Sequence, residues 1–121
     1  MTSAAAGATR PIVAMPVGSC EQHGPHLPLG TDSIIAETLA GRLAERVSGI
    51  AVGPTLAVTA SGEHAGFVGT LSIGVEVTAE VLVELARSAD WADGLVLVNG
   101  HGGNVQAVER AVATIRREGR R

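Results

Sequence analysis

Three short apolar runs, each followed by a loop and then by a stretch of helical periodicity, restrict this chain to few architectures. Ile12-Val13-Ala14-Met15-Pro16-Val17 carries no polar side chain and ends at Gly18. Ile50-Ala51-Val52 closes at Gly53-Pro54, and Leu95-Val96-Leu97-Val98 follows the Asp93-Gly94 turn. Runs that are short and non-alternating are strands buried on both faces, as in a parallel sheet covered by helices. Pro16 cannot donate to a ladder, so the pairing ends there or the neighbouring segment is irregular.

The intervening segments read as helices. Ile35, Leu39, Leu43 and Val47 recur at helical spacing, widened by Ala36, Ala40 and Ala44. Thr31, Asp32 or Ser33 suits the N-cap of that helix, and Ser48-Gly49 its end. Val81, Leu82, Leu85 and Ala86 form the apolar face of a second helix with Thr78 as its cap, after a brief extended piece, Leu71-Ser72-Ile73. Val105, Val108, Val112 and Ile115 mark a third, capped by Asn104 and ending in basic residues that suit a helix C-terminus. Strands alternating with helices imply right-handed βαβ units, hence an α/β fold with a mostly parallel, doubly wound sheet. Residues 11–121 form one such domain, and residues 1–10 read as a disordered leader.

Composition removes several function classes. The formal net charge is -3, which disfavours nonspecific nucleic-acid binding, and Phe67 and Trp91 are the only aromatic residues, which disfavours base stacking. No lysine occurs, excluding Schiff-base and P-loop chemistry. Cys20 is the only cysteine, so no internal disulfide forms and a reducing cytoplasm fits. No apolar run is long enough for a membrane span.

The unusual polar residues all fall after the predicted strands. Glu21 and His23 follow the first, Glu63 and His64 lie in the long connection after the second, and His101 follows the third. In open α/β sheets ligands bind outside the carboxyl ends of the strands, so the three loops converge on one edge. Glu21, His23, Asp32 and His101 make a mixed N/O set of the type that binds Zn, Fe or Mn. Two ions roughly 3.5–4 Å apart can hold a water or hydroxide between them and polarise a carbonyl. Glu21 and His23 can then serve different ions, Asp32 bridges, and His101 closes the cluster. Asp32 equally suits a plain helix cap. Glu63 and His64 are the candidate catalytic pair, and His26 and His64 either touch substrate or hold the ligands in place. Gly102 and Gly103 either present backbone N–H groups to a substrate anion or simply make a tight turn.

The blocks Pro16-Val17-Gly18-Ser19, Glu21-Gln22-His23-Gly24-Pro25-His26-Leu27-Pro28, Thr31-Asp32 and Asn99-Gly100-His101-Gly102-Gly103-Asn104 resemble the creatininase family of metal-dependent amidohydrolases. Within it, the segment from Ala60 to Gly74 looks most like the mycofactocin-system branch. The resemblance implies a three-layer α/β/α fold, a homo-oligomer and two divalent ions (Zn2+, Fe2+ or Mn2+). It places Glu21, His23, Asp32 and His101 at ligand positions, with Asp32 bridging. The branch implies hydrolysis of one bond in a modified precursor peptide, releasing a C-terminal Val-Tyr-derived product. The alternatives are a hydrolase of a small cyclic amide or formamide, or a non-catalytic metal-binding fragment. Creatininases proper carry a glutamate where this chain has Gly103, which disfavours creatinine as substrate. Family members also continue beyond the equivalent of Arg121. The resemblance therefore implies that this is the N-terminal part of the fold, with a further glutamate ligand and a proton-transfer histidine supplied by another segment or chain.

Overall fold

A computed structural model describes all residues, Met1–Arg121. The elements run α1 (Ser3–Thr9), β1 (Ile12–Val17), α2 (Thr31–Arg46), β2 (Ile50–Val52), α3 (Gly74–Ser88), β3 (Gly94–Asn99) and α4 (Val105–Arg117), with single 3-10 turns at Gly62–His64 and Gly102–Asn104. The sheet order is β2-β1-β3 and both pairings are parallel. The chain steps from β1 out to β2 and then back across β1 to β3. With right-handed crossovers, that reversal puts α2 and α3 on opposite faces, giving three layers. It also makes the gap between the carboxyl ends of β1 and β3 a topological switch point, where α/β sheets open a crevice.

One face of β1 sends Met15 and Val17 into a core with Leu82, Val83 and Ala86 of α3 and Ala111 and Ile115 of α4. Pro16 is accommodated in this central strand for a specific reason. In a parallel strand the N–H and C=O of one residue point to the same neighbour. The Pro16 carbonyl accepts from the Leu56 N–H (2.9 Å), on the β2 side, where the ladder has already ended at Ala14 opposite Val52. The missing donor thus faces an irregular segment, while the pairing with β3 continues to Val17 opposite Asn99.

Several sequence expectations change. Residues 3–9, read as part of a disordered leader, are helical. Ala-rich composition favours this, and the Thr2 hydroxyl accepts from the Ala5 N–H (3.2 Å) as an N-cap. The stripe expected to bury α2 is buried only in part: Ala36 and Ala40 are buried together with Asp32 and Ser33, Leu43 and Ala44 are half-buried, and Ile35, Leu39 and Val47 are exposed. Close approach explains this. A methyl on Gly18 would meet Ser33 Cα at 2.5 Å, and one on Gly100 would meet the Asp32 carbonyl oxygen. The helix therefore seats its small residues on the sheet. Likewise α4 buries Ala107, Ala111 and Ile115 and leaves Val105 exposed. None of the expected side-chain caps forms. Gly30 is the N-cap of α2, and the Thr31, Asp32 and Ser33 side chains bond elsewhere. Thr78 lies inside α3, donating to the Gly74 carbonyl (2.6 Å), and Asn104 spends its amide on tertiary contacts.

Candidate metal centre

The loops leaving β1, β2 and β3 meet at the switch point. Asn104, fully buried, ties them together: its amide donates to the Gly18 carbonyl (2.9 Å), and its side-chain oxygen accepts from the Ala60 N–H (3.1 Å). The Thr59 hydroxyl also donates to Gly18 O (2.6 Å). Asn99 fixes the turn into the last loop by donating to the His101 carbonyl (2.8 Å).

On this scaffold the predicted ligands converge. Asp32, in the first turn of α2, is held by the buried Ser19 hydroxyl, which donates to Oδ2 (2.7 Å). Its Oδ1 lies 2.9 Å from His23 Nε2 and its Oδ2 2.9 Å from His101 Nδ1. Asp32 therefore stands between the two imidazoles rather than capping the helix. Glu21 is only 4% exposed, and its Oε2 has no hydrogen-bond partner, although His101 Nε2 approaches to 3.3 Å. A buried, unpaired carboxylate oxygen is unfavourable unless a cation or donor meets it. Glu21, Asp32 and His101, all buried, can place one donor atom each within 4.8 Å of one another. The orphaned oxygen and the mixed N/O donors fit a divalent ion.

His23 is held in place from its other ring nitrogen. Its Nδ1 lies 3.1 Å from the Glu21 carbonyl, so an Nδ1–H bond there leaves Nε2 to face Asp32. Partial burial opposes the charged imidazolium. The hydrogen bonds to Asp32 and to the Glu21 backbone, with the field of both carboxylates, outweigh it and hold the His23 pKa above its ordinary 6.5.

The third loop brings Glu63 and His64 to the open side. Glu63 Oε1 is 3.6 Å from His101 Nε2, and His64 Nε2 is 3.6 Å from Glu21 Oε1. Gly103 makes room for this approach, because a Cβ there would sit 2.3 Å from Glu63 Oε1 and 2.4 Å from His101 Nε2. Gly102 is exposed beside it, and His26 lies exposed on its loop without a hydrogen bond to the cluster. Cys20 contacts the Gly69 carbonyl rather than the cluster. Ser19, Gln22 and Asn104 are site-building residues that sequence reasoning missed. Their common signal was a hydrogen-bonding side chain inside a loop block rich in candidate ligands.

The family model described as "Creatininase: Creatinine amidohydrolase" matches residues 1–121. The chain belongs to the creatininase family. It is 53% identical over 116 residues to the mycofactocin precursor peptide peptidase of Mycolicibacterium smegmatis, an alignment covering 91% of this chain and 47% of that protein. It is 34% identical to the creatinine amidohydrolase of Pseudomonas putida, over 89% of this chain and 45% of that protein. Among solved structures, a creatininase mutant superposes with a TM-score of 0.81 at 28% identity, covering 100% of this chain and 52% of the other. A creatininase mutant of Zn-Zn type gives 0.80, also at 28% identity, covering 98% and 52%. This creatininase-family chain spans about half the length of the relatives it matches.

Proposed function

We propose that the protein is a metal-dependent peptidase that hydrolyses one bond of a modified precursor peptide and releases its C-terminal Val-Tyr-derived product. The observation that carries the substrate class is the 53% identity to a mycofactocin precursor peptide peptidase, against 34% to a creatinine amidohydrolase. Gly103 supports the same choice, because the space beside His101 is taken by Glu63 and not by a side chain at position 103.

In this reading Glu21, Asp32 and His101 hold one divalent ion, and His23 with Asp32 faces a second, with Zn2+, Fe2+ and Mn2+ as candidates. Bound there, the metal supplies Lewis acidity to polarise the scissile carbonyl and acidify a water. The chain's own residues do the rest. Ser19 locks the Asp32 carboxylate, so its two oxygens face the two imidazoles without rearrangement. The Glu21 carbonyl fixes the His23 ring. Glu63 and His64, on the open side, meet the peptide at the scissile bond, and His26, Gly102 and Gly103 line its approach. The working form in this reading is a homo-oligomer.

The test is peptide hydrolysis followed by mass spectrometry, with the metals removed by chelation and then restored singly. Release of the C-terminal fragment that stops on chelation, returns with one of the three ions and is absent in Asp32→Ala supports the reading. Chelator-insensitive cleavage, or turnover of creatinine in preference to peptide, overturns it.

A further inference from the structure

The three clustered imidazoles are not wired alike. His23 directs Nδ1 to a carbonyl, an acceptor, which leaves Nε2 as the free lone pair that a metal needs. His64 is wired in the opposite sense. Its Nδ1 lies 3.0 Å from Gln22 Nε2. The orientation of the Gln22 amide is fixed at its other end, because Oε1 accepts from the Gly24 N–H (2.8 Å). Gly24 adopts φ 75°, a conformation that suits glycine, so that short turn is built in. The Gln22 NH2 group must therefore donate to His64 Nδ1, and a neutral His64 carries its proton on Nε2. That Nε2–H points into the cluster toward Glu21 Oε1 at 3.6 Å, beyond hydrogen-bond reach. It is an uncommitted donor at the mouth of the site.

We propose that Gln22 is a positioning residue that holds His64 as the Nε2–H tautomer, so that His64 donates a hydrogen bond to the substrate amide oxygen instead of ligating a metal. The role assigned to His64 rests on the amide-hydrolysing reading above. Glu21, Glu63 and His64 lie close enough to enclose an ion. The Gln22 bond argues against His64 joining it: a metal on Nε2 would require Nδ1 to carry the proton, facing an NH2 group. A donor aimed at the carbonyl oxygen strengthens as negative charge grows there during addition of water.

The experiment is NMR of the full chain with isotope-labelled histidine nitrogens, recorded metal-free and loaded with NMR-active cadmium. The proposal expects a pyrrole-like Nε2 and a pyridine-like Nδ1 for neutral His64 in both states, and cadmium–nitrogen coupling to His23 and His101 but not to His64. Gln22→Glu, whose carboxylate can only accept, should invert the His64 tautomer and lower kcat by about 10²-fold or more, the usual loss on removing one oxyanion donor. Gln22→Ala should give a mixed tautomer population, which guards against misfolding of a single variant. Cadmium coupling to His64, an Nδ1–H tautomer in the unmodified chain, or an unchanged tautomer in Gln22→Glu would overturn the proposal. Loss of coupling at every histidine with the His64 tautomer intact would instead sink the metal-centre reading and leave the wiring standing.

Discussion

Asn104→Ala offers a sharp test of how the three loops are held in register. The side chain is fully buried and makes three hydrogen bonds: to Gly18 O (2.9 Å), from Ala60 N (3.1 Å) and to Asn99 Oδ1 (3.2 Å). The losses are unequal. Gly18 O keeps the Thr59 hydroxyl at 2.6 Å, so it loses one of two donors. The Ala60 N–H has its bond only to Asn104, and leaving a buried donor unpaired costs about 1–3 kcal/mol. Adding about 1 kcal/mol for the bond to Gly18 puts the whole change near 2–4 kcal/mol. That is a large share of the roughly 5–15 kcal/mol that holds a domain together. Urea denaturation of the chelated protein should show a lower midpoint with an unchanged slope. Asn104→Asp should be no better than alanine, because it keeps an acceptor for the Ala60 N–H but buries a carboxylate against the Gly18 and Asn99 oxygens. An alanine variant within about 0.5 kcal/mol of the parent, or an aspartate variant as stable as the parent, would refute the reasoning.

Other outcomes follow from the same geometry. Because the folded His23 pKa is raised, its contribution to metal-free stability is fully present below about pH 6.5 and is lost as pH rises through the folded value; His23→Ala should flatten that part of a denaturation–pH profile. An ion must displace the same proton, so zinc affinity measured against a competing chelator should rise with pH across that window and level off above it. Glu21→Gln removes the charge behind the unpaired Oε2, so zinc binding should fall at least tenfold while the chelated protein melts no lower than the parent; a lower melting temperature with zinc binding intact would contradict this. Gly18→Ala would drive a methyl to 2.5 Å from Ser33 Cα and should destabilise by about 3 kcal/mol or more by levering α2 off the sheet, whereas Gly41→Ala, with open space around it, should stabilise α2 by about 0.5–1 kcal/mol. Thermal melts of the two variants side by side check both signs.

What was legible in the residues depended on strong local signals. The run from Ile12 to Val17 was legible because it is apolar throughout, and Val13–Val17 are buried. Ile50–Val52 and Gly94–Asn99 were also legible as strands, but as the outer strands of a three-stranded sheet they are not buried on both faces as the sequence suggested, and Val52 and Val96 are exposed. Glu21, His23, Asp32 and His101 could be singled out as neighbours because their loops leave the carboxyl ends of strands, and the structure brings each side chain within 2.9–4.0 Å of another in the group. The face of α2 was legible only in part. Ala36 and Ala40 belong to the stripe read from the sequence, but hydrophobicity centres that stripe on Leu39. Only the close approach at Gly18 and Gly100 turns the helix onto its alanine edge. Thr78 and Asn104 likewise looked like caps because a cap is the best local use of such side chains, until a better partner arrives through space.

By itself, then, the sequence determined the alternation of parallel strands and helices, and the loops that carry the reactive residues. Periodicity, apolar runs and residue chemistry are properties of short segments. The tertiary structure alone decided that Asp32 stands between His23 and His101, that Glu21 carries the unpaired oxygen, and that Gln22 sets the His64 ring against the others. Those relations join atoms 9 to 69 residues apart, and crossover handedness and close backbone contacts fix them.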